Sequence, residues 1–298
     1  MKMRTRELFS FMRERQSIYV KKESNSPKPW TKDPILQQYR FCNVYREQDK
    51  VTRWIAEYWR DAHSKERDLW FAMIVARLLN LPHSLIMLSW PIPWNERDFI
   101  KTLHAEQKRG NNVFNAAYIV STNGISMDKV EYIAKLVLTP IWKAREKITP
   151  IIRNETLGTI PPPTLAQVHT TLTHFNGLGS FLAAQVIADL KYVEPLKSAV
   201  DWWTWAASGP GSRRGLNRIC HHDVQDGWNE ATWLAQLQEL QKQINSLIQN
   251  TLTVNRNQRI LSPVHAQDLQ NCLCEWDKYE RVRLGQGRPK QKYNGGAN

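Results

Sequence analysis

From residue 49 onward the apolar residues recur at helical spacing, and proline cuts the chain into segments too short for one continuous rod. In "DKVTRWIAEYWRDA" Val51, Ile55 and Tyr58 stand at i, i+4 and i+7, "RDLWFAMIVARLLN" is apolar on nearly every face, and "EATWLAQLQELQKQINSLIQNTL" is a long amphipathic stretch. "DFIKTLHAEQ", "NVFNAAYIVS", "SMDKVEYIAKLVLTPIWKARE" and "HAQDLQNCLCEWDKYERVR" are further helical segments, while "SWPIPWN" and "TIPPPTLAQVH" are breaks. Runs of β-branched residues bounded by turn signals are scarce. The expected fold is all-α with little or no sheet.

A chain of 298 residues with 42% hydrophobic and 23% charged residues can bury a sizeable core. No apolar run reaches the roughly 18 residues of a membrane span, and the basic N-terminus lacks the apolar segment of a secretory signal, so a cytoplasmic protein with no membrane role is expected. Cys42, Cys220, Cys272 and Cys274 are too few and too unevenly spaced for a disulfide framework, which leaves reduced thiols. The net charge of +13 points to a polyanionic partner, because Lys and Arg release counterions condensed on nucleic acid. Residues 1–29 read as a basic arm, interrupted at "SNSPKPW" and ordering on a partner.

"LAQVHTTLTHFNGLGSFLAAQVIADL" reads as helix, short turn, helix, with Gly177 and Gly179 on either side of Leu178. The glycines permit positive φ and close backbone approach, and the free N–H groups opening the second helix suit a DNA phosphate; an ordinary turn between packed helices is the competing reading. Leu172, Phe175, Leu178, Ala183, Ala184, Val186 and Ile187 fit the apolar pattern of a helix-hairpin-helix, and "SAVDWW" follows. In this stretch the chain resembles the endonuclease III branch of helix-hairpin-helix DNA glycosylases. The resemblance implies a two-lobed catalytic region over residues 30–288 with its hairpin at 172–190, a basic flexible tail at 289–298, and Asp201 as the residue facing the sugar. A carboxylate there can stabilise an oxocarbenium-like sugar or orient water; helix capping is the alternative. Ser180, Phe181 and Leu182 stand where bifunctional members place a lysine, so no imine-forming lyase step is expected. With only Cys272 and Cys274 close together, no iron–sulfur cluster is expected either.

Longer segments narrow the resemblance: "PWTKDPILQQYRFCNVYREQDKVTRWI", "NVFNAAYIV", "FNGLGSFLAAQVIADLKY", "DWWTWAASGPGSRRGLNR" and "NCLCEWDKYERVRLGQGRPKQKY". Together they resemble the helical family of α-glutamyl/putrescinyl thymine pyrophosphorylases, found also as the helical domain of 5-hydroxymethyluracil DNA kinases, over most of residues 29–293. The family implies hypermodified pyrimidines in phage DNA as the substrate world. A related bacterial group is similar to glycosylases that excise glucosylated hydroxymethylcytosine as anti-phage defence. No GxxxxGK[ST] loop is present, so kinase activity is not expected of this polypeptide.

An enzyme acting on a base must extrude and grip it by edge hydrogen bonds and aromatic faces. Trp30 and a helical face carrying Tyr39, Asn43, Arg46 and Glu47 form one expected pocket floor, with Glu47 a second catalytic carboxylate; a salt-bridge network is the alternative. Asn115 and Tyr118, three apart on an expected helix, and Trp202 complete the base pocket, although core packing accounts equally well for Tyr118. "SGPGSRRGLNR" offers Ser212, Arg213 and Arg214 between glycines as a phosphate grip or else a solvated loop. Lys278, Arg281 and Arg288 extend the DNA contact as an electrostatic tail. "CHHD" at 220–223 lacks partners at zinc spacing, so no metal and no cofactor is expected.

These readings converge on a monofunctional DNA glycosylase that removes a hypermodified pyrimidine from phage DNA, with no obligate protein partner. The alternative is a phage DNA transferase that adds an amine to an activated 5-methylene pyrimidine. A noncatalytic DNA-binding module is the third.

Overall fold

The structure is a computed structural model that describes residues 3–115, 121–122, 124–155, 161–254, 260–287 and 289, with the backbone alone at 252–254. The described residues are helical throughout and contain no β-strand, in agreement with the all-α expectation. Two compact units emerge, one built from both ends of the chain, up to residue 49 and from 204 onward, the other from residues 50–203. The helical region therefore does not begin at residue 30, and its first unit is discontinuous in sequence.

The first unit opens with α1 (Thr5–Glu23) and the short α2 (Pro34–Gln38). The expected basic arm is thus a packed helix: Leu8, Phe11 and Met12 repeat at i, i+3 and i+4 and are buried in the core, while Lys21 and Lys22 occupy its last turn. A basic composition concealed an apolar stripe that packs into the core of the unit.

The second unit contains α3 (Lys50–Ile55), which continues through one π-helical stretch, then α4 (Leu69–Leu79), α5 (Pro82–Leu88) and α6 (Glu96–Lys108). α7 (Lys129–Tyr132) runs through a second π stretch into α8 (Thr139–Lys143), followed by α9 (Arg145–Arg153), α10 (Leu165–Thr173) and α11 (Ser180–Leu190). Every residue of α4 is buried, as its apolar sequence requires. The helix stops at Asn80, left-handed at φ 48°, before the proline-rich break reaches it. Inside, Arg77 forms a buried ion pair with Asp189 of α11 and donates to Thr52 and Asn80, tying α4 to the hairpin helix through charge.

The chain returns to the first unit with α12 (Pro210–Cys220), α13 (Glu230–Val254) and α14 (Ala266–Arg283). Leu216, Ile219, Trp233, Leu237, Leu240, Leu269, Leu273 and Trp276 close a core over α1. α12 and α14 approach so closely that a Cβ on Gly215 would lie 2.1 Å from the Leu273 carbonyl oxygen, and one on Gly211 would lie 3.3 Å from Cys274 Sγ. All four cysteines are free. No described helix is long and apolar enough to cross a membrane.

Candidate active site

The hairpin forms as its sequence suggests. Thr164 caps α10 in a capping box with Gln167, Gly177 adopts φ 81°, and α11 starts at Ser180 after the extended Gly179. A Cβ at Gly177 would lie 2.5 Å from Val137 Cγ2, so both conformation and space demand glycine; around Gly179 nothing lies within 4 Å. Leu178 is 1% exposed and anchors the turn in the core. It leaves only backbone, not side chain, for any DNA contact. Ser180 and Phe181, in the first turn of α11, are exposed.

Asp201 does not begin a helix of its own; it lies in a turn, and the next helix starts only at Pro210. Its carboxylate instead reaches back to the start of α10, where Oδ1 accepts the Leu165 N–H at 2.8 Å and Oδ2 accepts the Ala166 N–H at 3.1 Å. Two donors and the positive end of the α10 dipole thereby fix one orientation of the group. The lone pairs not taken by these bonds remain for other chemistry. Beside it opens a cleft of about 680 Å³, lined by Val200, by Ala166, and by Pro161, Pro162 and Pro163. Val200 precedes Asp201 and is 79% exposed, and Trp203 is 40% exposed. The three prolines, read in sequence only as a break, form a rigid wall.

Trp202 is held from two sides. Its indole N–H donates to the Lys191 carbonyl at 2.6 Å, its ring lies edge-on to Tyr192 and stacks on Trp203, and Lys191 Nζ sits 3.7 Å from its centroid. Of the remaining expected pocket residues in this unit, Asn115 is not helical: it donates through its N–H to Leu79 O and through its amide to Asn80 O, closing the end of α4. Tyr118 lies outside the described residues.

In the first unit, the expected helical face carrying Tyr39, Asn43, Arg46 and Glu47 does not exist. Asp33 caps α2 and Pro34 starts it, but the helix ends at Gln38, and Tyr39 is extended and 3% exposed. The loop that follows is pinned along α14. Lys278 donates to Arg40 O, Glu275 accepts the Cys42 N–H at 3.0 Å, Asn271 reaches Asn43 O, and Asp268 accepts the Arg46 N–H at 3.0 Å. Buried Arg15 adds bonds to the carbonyls of Cys42 and Asn43. These partners satisfy the loop backbone, which therefore has no need of helix. Asn43 turns inward, donating to Gln48 O and giving its N–H to Asp49, whose pKa is raised chiefly by burial. Arg46 and Glu47 lie half-buried in a single 3-10 turn. Trp30 stands apart, its N–H on Ser26 O and Lys28 over its ring.

The segment expected to grip phosphate is the first turns of α12. Ser212 is fully buried and its hydroxyl bonds the N–H and carbonyl of Gly209, so it is withdrawn from any ligand. The glycines serve helix packing. Arg213 pairs with Glu230 at 3.0 Å, while Arg214, Arg218 and Arg281 converge on buried Asp277 at 2.8, 3.0 and 3.4 Å. Lys278 pairs with Glu275 at 3.0 Å, and Arg288 lies outside the described residues. A second cleft in this unit, of about 710 Å³, reaches down to buried Glu280, which Arg4 and Arg283 hold below the usual carboxylate range against the opposing effect of burial. Its innermost cations are thus taken by a protein carboxylate.

The sequence profile of the helical domain of 5-hmdU DNA kinase matches residues 2–288, and the chain belongs to that family. A 5-hmdU DNA kinase of Bacillus phage SP10 is 26% identical over 226 residues, which cover 69% of this chain and 34% of the phage protein. The chain thus spans well under half the length of that relative. No solved structure matches.

Proposed function

We propose that this member of the 5-hmdU DNA kinase helical-domain family is a DNA N-glycosylase. It removes a hypermodified 5-hydroxymethyl pyrimidine, such as glucosylated 5-hydroxymethylcytosine, from phage DNA as anti-phage defence. The observation that carries this reading is the Asp201 carboxylate, fixed by two N–H donors next to Val200 and Ala166, which line an open cleft of about 680 Å³. That volume accommodates an extruded base with a bulky 5-substituent. The family supports a modified pyrimidine in DNA as substrate, since the phage relative is by name a kinase for 5-hmdU DNA.

In the proposed reaction the bond between C1′ and the base nitrogen breaks, the electron pair leaves with the base, and the positive charge developing on the sugar is stabilised by Asp201. Water then adds to C1′ and keeps one proton as the new hydroxyl; its other proton goes through the carboxylate to solvent, and the departing base anion takes one proton from solvent, leaving an abasic site and a free base. The hairpin, with α11 starting at Ser180 and no side chain capping it, is the proposed seat of a strand phosphate. Within the first unit, Arg213, Arg214, Lys278 and Arg281 are proposed separately as cations for DNA phosphate, although each is paired with a carboxylate.

A second reading draws on the family match alone. In it an amine nitrogen attacks the 5-methylene carbon of an activated pyrimidine, the activating group leaves with its electron pair, and Asp201 or Glu47 takes the amine proton. Mass spectrometry on treated DNA separates the two. Excision yields free modified base and abasic sites, whereas transfer yields an intact nucleoside of altered mass.

A further inference from the structure

We propose that Lys191 is a positioning residue for Asp201, an inference that rests on the excision reading above. Lys191 directly follows α11 and is 0% exposed. Burying an ammonium is costly, and a methionine would fill the same space without that cost. Here the charge has a specific task. Nζ donates to the Trp202 carbonyl at 2.8 Å and lies 3.7 Å from the centre of the Trp202 ring, while the Trp202 indole N–H donates to the Lys191 carbonyl at 2.6 Å.

The two hydrogen bonds run in opposite directions between the same pair of residues, so Trp202 can neither slide along α11 nor rotate out of its turn. The Trp202 backbone N–H also bonds Ala199 O at 3.0 Å, closing the turn that contains Asp201. The bonds to α10 thus hold the Asp201 carboxylate, and the Lys191–Trp202 clasp holds its backbone. The base of the clasp is itself fixed, because Asp189, two residues before Lys191, pairs with Arg77 of α4. Hairpin helix, carboxylate and cleft wall are therefore locked into one frame.

The test uses the full chain and duplex DNA carrying glucosylated 5-hydroxymethylcytosine. Lys191→Met keeps the bulk and removes the clasp charge; it lowers kcat for base release about 10- to 100-fold, the scale of an ångström-level displacement, while KM stays within about twofold. Trp202→Phe, which keeps a ring but loses the indole donor, falls in the same direction and is not additive with Lys191→Met. In an Asp201→Asn background Lys191→Met changes the residual rate by less than about twofold, because it acts through that carboxylate. Exchange of the Trp202 indole proton, followed by NMR, is slow in the native chain and accelerates in Lys191→Met; unchanged exchange contradicts the clasp. Full activity of Lys191→Met beside an inactive Asp201→Asn protein overturns the positioning role alone. Full activity of Asp201→Asn overturns the excision reading, and Lys191's part in it.

Discussion

Alanine at Gly215 tests why "GPGSRRG" is rich in glycine. The added Cβ would stand 2.1 Å from the Leu273 carbonyl oxygen, 2.8 Å from its carbon and 3.1 Å from its Cα. A comfortable carbon–oxygen contact is roughly 3.2 Å, and the obstacle is backbone, which cannot rotate away; relief requires α12 and α14 to part by about 1 Å. Overpacking of this kind costs about 1–3 kcal/mol, and this overlap belongs at the upper end. Alanine returns up to about 1 kcal/mol through helix propensity, which leaves a net loss of about 2 kcal/mol. For a unit of this size that lowers Tm by roughly 4–8 °C in calorimetry or circular dichroism. Parting the helices also stretches the Arg214 and Arg218 pairs with Asp277. If Gly215 existed to admit a DNA backbone, Gly215→Ala would raise Tm and weaken DNA binding; that pair of results refutes the packing account.

Other perturbations have equally definite outcomes. Gly177→Ala, at φ 81° and against Val137, destabilises by about 1–3 kcal/mol in denaturant melts, whereas Gly179→Ala, at φ −62° in open space, stays within about 0.5 kcal/mol. Asp189→Asn leaves Arg77 buried without its counter-charge and costs about 3–5 kcal/mol, read as a lowered urea midpoint. Glu106 is held at a pKa of about 2, first by the hydrogen bond from His83 and then by Asn111 and Arg109. Because its folded pKa lies below the ordinary value of 4.5, its stabilisation is complete above about pH 4.5 and disappears as pH falls toward 2. Glu106→Gln flattens that part of the stability–pH curve in acid titrations of Tm.

The sequence revealed features whose cause is local. Uniform apolarity marked α4, glycine marked the turn at Gly177, and proline marked the breaks around α10. It misled where the deciding partner lies far along the chain. The loop from Arg40 to Arg46 has the spacing of a helix, but Asp268, Asn271, Glu275 and Lys278 of α14 claim its backbone, more than two hundred residues away. "GPGSRRG" carries the same letters whether its glycines face DNA or a helix, and only the position of Leu273 distinguishes the two. Asp201 was legible as a carboxylate worth attention after a hairpin, but not as a ligand of the α10 N-terminus, since that pairing spans 36 residues. Lys191 offered no motif at all; its significance is in burial and in the ring above it.

The central claim is that Asp201 acts on the sugar of a modified pyrimidine nucleotide. The most direct measurement is mass spectrometry of free base, together with abasic-site counting, on DNA containing glucosylated 5-hydroxymethylcytosine, treated with the native chain and with Asp201→Asn. The substitution keeps one acceptor for the α10 N–H groups, loses the other, and costs about 1–3 kcal/mol of stability, which a Tm measured beside the assay accounts for. The native chain is expected to release the modified base and leave abasic sites, and Asp201→Asn to bind the same DNA while its rate falls about 100- to 10,000-fold. Base that stays attached with an altered mass, or equal release by both proteins, contradicts the account.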